Sequence, residues 1–195
     1  MINLQNKSPK VLVIGDLIVD QYLWGSCERI SPEAPVQVIE VDRETTVLGG
    51  AGNVVNNLKK LGARVDIISV IGNCKISAEL IKLLANIKVQ SKYLVTQKNR
   101  ISSKKTRIIA SQQQVVRYDR ESSDDINSES QNAIIKTFEK IVNNYEVILL
   151  SDYGKGILTN TLTQSLIKIA KKYKAYAVSH GATGKGNCLL YTSPS

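Results

Sequence analysis

Acids and glycines placed just after short apolar runs are the first residues in this chain with a spacing suited to chemistry. Val11-Leu12-Val13-Ile14-Gly15-Asp16 ends on a carboxylate, Asp20 follows, and Val147-Ile148-Leu149-Leu150-Ser151-Asp152 repeats the arrangement. A run with no polar face suits a strand buried on both sides, its polar atoms delivered at the carboxyl end. A carboxylate there can accept hydrogen bonds from vicinal sugar hydroxyls or cap a loop, and the two readings stand level. Asp152-Tyr153-Gly154-Lys155-Gly156 sets a cation beside the second acid, and Lys is a suitable point charge for a phosphate. Leu48-Gly49-Gly50-Ala51-Gly52-Asn53 opens a helical pattern with no bulky side chain before Asn53, so a ligand could touch the main chain and the free N–H groups of a helix start. A tight turn requiring glycine explains the same residues at least as well. The run fits neither G-x-G-x-x-G nor the P-loop pattern G-x-x-x-x-G-K-[ST].

Elements must hold these residues in place. Ala51, Val54, Val55, Leu58 and Leu61 recur at helical spacing up to Gly62, Val65 to Val70 reads as a strand, and Leu80, Ile81, Leu84 and Ile87 mark a helix after Ser77. From Trp24 to Val41 the pattern is irregular backbone around Ser31-Pro32-Glu33-Ala34-Pro35, followed by an exposed or edge strand. Between Tyr93 and Tyr118 the half-polar pieces Arg107-Ile108-Ile109-Ala110 and Val115-Val116-Arg117-Tyr118 suggest a small antiparallel excursion from the main sheet. Ser128 with Gln131, and Thr161 with Gln164, have capping-box spacing ahead of two further helices. Strands and helices alternate, which predicts an α/β fold: a parallel central sheet with helices on both faces, binding ligands beyond the carboxyl ends of its strands. Asp16, the Gly49-Gly50 turn and Asp152 would all lie there.

Composition narrows the class. The chain has 195 residues, enough for one domain that removes about 70% of its unfolded surface from water. With 43% hydrophobic and 22% charged residues it has the make-up of a globular protein rather than a disordered one. No apolar run approaches the roughly 20 residues of a membrane span, and Met1 to Lys10 lack a secretory signal's apolar stretch, so no membrane partner and a cytoplasmic location are expected. Cys27, Cys74 and Cys188 are far apart and read as isolated reduced thiols. The net charge of +9 is divided among Lys59 and Lys60, Lys98 to Arg107, and Lys168 to Lys174. Aromatic residues, 5% of the chain, do not interleave with these clusters, which argues against a nucleic-acid partner; a few of the cations could attract a phosphorylated metabolite.

Taken together, Gly15-Asp16-Leu17-Ile18-Val19-Asp20, Arg29-Ile30-Ser31-Pro32-Glu33-Ala34-Pro35, Gly49-Gly50-Ala51-Gly52-Asn53, Lys105-Thr106-Arg107, Gln113-Gln114-Val115-Val116-Arg117 and Leu150-Ser151-Asp152-Tyr153-Gly154-Lys155-Gly156 resemble the heptose-7-phosphate kinases of the ribokinase, or PfkB, superfamily. The likeness runs from about Lys10 to Lys174. It implies a ribokinase-like parallel sheet with a small antiparallel lid, and ATP-dependent phosphorylation, with Mg2+, of the anomeric hydroxyl of D-glycero-β-D-manno-heptose 7-phosphate, on the route to the ADP-heptose of lipopolysaccharide core. By position, Asp20, Gly49, Gly50 and Asn53 would hold sugar hydroxyls, with Asp16 and Asp152 as further candidates. Lys155, Arg107 and Arg117 would face the 7-phosphate, although exposed strand charges explain the two arginines about equally. A homodimer through the lid is the macromolecular partner the likeness suggests.

The family's Asp-Pro-Lys segment and its Gly-Ala-Gly-Asp motif, which carries the general base and the anion hole, have no counterpart in these residues. The carboxyl-terminal half of the domain is therefore expected to be missing, no catalytic residue is assigned, and neither ATP nor Mg2+ is expected to bind well. Residues 1–9 read as a polar tail, 10–174 as the amino-terminal part of the kinase domain, and 175–195 as a tail foreign to the family. Ala177-Val178-Ser179-His180-Gly181-Ala182-Thr183-Gly184-Lys185-Gly186-Asn187 resembles a motif of argininosuccinate synthase, but His180 and Lys185 lack the fold that would position them and read as a loose tail. Three alternatives stand beside this: another ribokinase-family carbohydrate kinase, a basic nucleic-acid-binding fragment, and an incompletely folded fragment.

Overall fold

The computed structural model describes residues 8–173, 175 and 177–180. Among these, a parallel sheet is built on β1 (Lys10–Gly15), whose Val11, Leu12, Val13 and Ile14 are all buried. Both edges of β1 are occupied, by β4 (Arg64–Gly72) and β8 (Val147–Ser151). β5 (Leu94–Gln97) and β9 (Ala177–His180) complete the order β5-β4-β1-β8-β9. Helices cover both faces. On one, α1 (Ala51–Lys60) and α2 (Lys75–Asn86) pack Val55, Leu80 and Leu84 against Val11, Val13 and Ile67. On the other, α3 (Ser128–Ile141) and α4 (Asn160–Lys172) pack Ile134, Phe138, Leu162 and Leu166 against Leu12, Ile14, Ile148 and Leu150. Alternate residues of β1 thus feed two separate cores.

A second sheet rises from the carboxyl end of the first. Its strands β2 (Leu17–Ile30), β3 (Gln37–Gly50), β6 (Ser103–Ala110) and β7 (Gln113–Arg120) have the order β3-β2-β6-β7. The β2–β3 and β6–β7 pairs are antiparallel and β2–β6 is parallel, so this lid is mixed rather than purely antiparallel. Two expectations are corrected here. Trp24 to Ile30 is not irregular: it continues β2, paired with β3 through a bulge between Trp24 and Gly25 and a shift between Ser26 and Arg29. With partly exposed residues along this length, strict hydrophobic alternation is not required. The excursion begins only at Ser103, because Leu94–Gln97 pairs with Ser69–Gly72 inside the central sheet.

Two caps also differ from expectation. Asn127, not Ser128, accepts the N–H of Ser130 at 2.8 Å, and Thr159, not Thr161, accepts that of Leu162 at 3.1 Å. Gln131, expected to complete the first cap, instead carries the Thr159 and Thr161 hydroxyls on its Oε1 and ties α3 to α4. From residue 177 the segment expected as a loose tail enters the sheet: residues 177–180 pair in parallel with Val147–Leu150, whose apolar edge accepts a further strand. Lys185 and the rest of that segment lie outside the described residues, as does Cys188; Cys27 and Cys74 are free thiols.

Candidate active site

Asp16 is the junction of the two sheets, between the last residue of β1 and the first of β2, and it is fully buried. Its main chain donates to the Ser151 carbonyl at 3.1 Å and accepts the Ala51 N–H at 2.9 Å, joining β8 and the start of α1. Its carboxylate faces the loop after β8: Oδ2 accepts the N–H groups of Tyr153 at 2.7 Å and Lys155 at 3.2 Å, and Oδ1 that of Ile157 at 3.3 Å. Burial pushes this carboxyl above its ordinary value, and the three N–H groups partly offset the rise. Of the two readings of Asp16, loop capping is the one its hydrogen bonds display.

Asp20 lies four residues into the lid and points a carboxylate over Gly49, where a Cβ would overlap Oδ2. Gly50 adopts φ +55°, and a Cβ there would collide with the Asp16 carbonyl. Glycine is thus required twice in succession, once for space and once for conformation as well. α1 begins at Ala51 without a side-chain cap, and Asn53 is exposed in its first turn. Gly49, Gly50, Asn53, Asp16 and Asp20 therefore surround one helix start at the carboxyl end of β1.

The candidate cations are ion-paired. Arg107 Nη1 donates to Asp20 Oδ1 at 2.6 Å, with its guanidinium carbon 5.2 Å from the centre of the Tyr22 ring. Arg117 stands opposite Arg107 in the β6–β7 register, but grips Asp119 through two bonds of 2.9 and 2.6 Å. That fork holds the Asp119 carboxyl well below its usual range and raises Arg117. Lys155 crosses from the β8 loop to the lid and donates to Glu121 Oε1 at 2.6 Å; Lys105 joins Asp119 at 2.8 Å and Glu121 at 3.5 Å. Asp152 turns back on its own loop, accepting the Gly154 N–H at 2.8 Å.

Asp20, Lys105, Arg107, Asp119 and Lys155 are thus brought together at the mouth between the sheets, whereas Arg117 is more exposed. Glu121, Asp119 and Arg100 were not singled out from the sequence. The spacing of two along Arg117, Asp119 and Glu121 places them on one face of an extended segment and was a usable signal; Arg100 had none. Among the described residues no group of three His, Cys, Asp or Glu could hold a metal ion. No helix among them is long and apolar enough to cross a membrane.

Residues 8–180 match the model of the pfkB family carbohydrate kinases. The chain is 60% identical over 167 residues to the bifunctional protein HldE of Aliarcobacter butzleri, an alignment covering 86% of this chain and 35% of that protein. It is 51% identical over 169 residues to HldE of Sulfurimonas denitrificans, covering 87% and 35%. It spans about a third of the length of these curated relatives. Among solved structures, a carbohydrate kinase from Agrobacterium tumefaciens superposes with a TM-score of 0.62 at 16% identity, covering 88% of this chain and 53% of that one. Arabidopsis thaliana ribokinase, complexed with ribose and ATP, superposes at 0.58 with 14% identity, covering 89% and 53%. The two-sheet architecture is theirs, and with the family match across most of its length, the chain belongs to the pfkB family of carbohydrate kinases.

Proposed function

We propose that the chain is the sugar-binding part of a kinase that transfers the terminal phosphoryl group of ATP to O1 of D-glycero-β-D-manno-heptose 7-phosphate, giving the 1,7-bisphosphate. The observation that carries this reading is the meeting, at one helix start, of the Asp20 carboxylate and the Gly49-Gly50 turn with Arg107 and Lys155. Asp20 accepts from sugar hydroxyls, the open N–H groups of α1 and the Asn53 amide add donors, and the cations compensate the 7-phosphate. Lys155 and Arg107 change partners when the phosphate arrives, from Glu121 and Asp20 to the anion. Asp16 serves by holding the loop, and Asp152 and Arg117 flank the site. The identity to HldE proteins supports the heptose over other sugars.

ATP is the phosphoryl donor in this reading. The 195 residues contain no Gly-Ala-Gly-Asp segment, and a missing general base alone costs about 10²–10⁴ in rate, so the chain by itself is proposed to bind sugar without turning it over. A cytoplasmic location and pairing of two copies through the lid, where Ile30, Val41 and Val47 are exposed, belong to the same proposal. Calorimetry with heptose 7-phosphate, fructose 6-phosphate and ribose tests it: heptose 7-phosphate should bind best. Preference for either other sugar would move the reading to another kinase of the family, and salt-dependent binding of DNA or RNA without sugar binding would refute it.

A further inference from the structure

We infer that Arg100 is a positioning residue for the anion end of this site, acting through the main chain at Lys155; the inference rests on the role proposed for Lys155. Arg100 follows the turn after β5 and is only 7% exposed. A guanidinium is costly to bury unless its N–H groups find acceptors, and here they reach two separate segments. Nη1 donates to the Asp124 carbonyl at 3.0 Å, and Nη2 donates to the carbonyl of Lys155. Neither acceptor is a carboxylate, so the cation is spent on fixing main chain rather than on a direct ion pair.

The amide side of the same residue is held by the opposite charge. Asp16 Oδ2 accepts the Lys155 N–H, so Lys155 is gripped at its N–H by a buried anion and at its C=O by a buried cation. Asp16 also acts on Arg100 through space: burial lowers the guanidinium's proton affinity, and the fields of Asp16, Asp124 and Asp125 oppose that. Gly156 has φ +75°, and the Asp124 carbonyl fills the space a Cβ would need, while the Ile126 N–H donates to the Gly156 carbonyl at 2.9 Å. The segment after the lid and the loop after β8 are thereby one packed unit with Arg100 across it. With its main chain already fixed at both N–H and C=O, Lys155 loses only side-chain freedom when its ammonium engages an anion, and no further main-chain ordering is needed. Lysine at position 100 would preserve charge but not the planar fork that spans both carbonyls.

The test is a double-mutant cycle on the 195-residue chain, read by heptose 7-phosphate calorimetry and by hydrogen exchange at 153–157. Arg100→Lys and Arg100→Met should each weaken binding, Arg100→Met by about tenfold, the loss expected of one misdirected charge-assisted hydrogen bond. Either change should add little in a Lys155→Met background, and exchange at Lys155 and Ile157 should quicken. Leu166→Ala, a change in the buried face of α4 that touches none of these hydrogen bonds, controls for lost stability and should leave the affinity of the folded chain unaltered. Wild-type affinity in both Arg100 variants, or a loss fully additive with Lys155→Met, overturns the inference while the sugar-binding reading survives. No binding by the unsubstituted chain overturns that reading and with it the role of Lys155. Should Arg100→Met fail to fold, Arg100→Lys carries the same comparison.

Discussion

Replacing Asp16 should loosen the loop after β8 before it disturbs the sheet that carries the loop. Asp16→Ala leaves three main-chain donors without their acceptor, those of Tyr153, Lys155 and Ile157. A buried donor left unpaired costs about 1–3 kcal/mol. Ile157 is 2% exposed and bears the full penalty, whereas Tyr153 is 43% exposed and water can reach its neighbourhood. Some of the loss is returned, because removing the carboxylate also removes the cost of burying it. The net expectation is about 2–4 kcal/mol, large against the 5–15 kcal/mol stability of an ordinary domain. Asp16→Asn keeps one oxygen for the Tyr153 and Lys155 donors and turns an NH2 toward Ile157, for about 1–3 kcal/mol.

Urea unfolding gives the stability change, and hydrogen exchange shows where it falls: the three amides should exchange faster than those of β1. The pH dependence has a definite sign. The folded state holds the Asp16 proton more tightly than the unfolded chain does, so this residue's contribution is present below the ordinary value of 3.8 and declines as pH rises through the raised folded value. That decline should vanish in Asp16→Asn. An unchanged urea midpoint, together with unchanged exchange at Tyr153, Lys155 and Ile157 in Asp16→Ala, would refute the clamp.

Further outcomes follow from the same geometry. Gly49→Ala forces the Asp20 carboxylate off its place and away from Arg107; the expected cost is about 1–3 kcal/mol with loss of sugar binding, checked by thermal unfolding and calorimetry. Leu166→Ala empties a position 1% exposed between α4 and the sheet and should cost about 2–5 kcal/mol in urea unfolding, with the denaturant slope unchanged. Asp119, held ionised by Arg117 and Lys105, has the opposite sign to Asp16: its contribution is present above 3.8 and is lost as pH falls through the lowered folded value. Carboxyl NMR should show Asp119 titrating below free aspartate, and Arg117→Gln should bring it back toward 3.8.

Much of the central sheet was legible because buried parallel strands leave a plain trace. Val11 to Ile14 and Val147 to Leu150 are apolar throughout, and the helical spacing of Val55, Leu80, Leu84, Ile134 and Leu166 marks the surfaces that cover them. The lid was harder to read, since β2 beyond Asp20 is half exposed and its course is set by pairing with β3 and β6, not by its own pattern. Both helix caps lie one or two residues from the expected positions, because Asn127 competes with Ser128 and Thr159 with Thr161, and only geometry selects one of each pair.

The alternation of strands and helices is written in local pattern, which also puts Asp16, Asp20, the Gly49-Gly50 turn and the Asp152 to Gly156 loop near strand ends. The partner each of these residues meets is set by folding. Asp16 and Asp20 sit four residues apart, yet one is sealed against three main-chain N–H groups and the other opens toward Arg107, 87 residues away in the chain. Arg100 has no local signal at all; its importance comes from two carbonyls, 24 and 55 residues distant, that folding brings to one guanidinium. Charges that attract in three dimensions need carry no trace of it in one, since their partners lie on strands joined only by the register of the sheets.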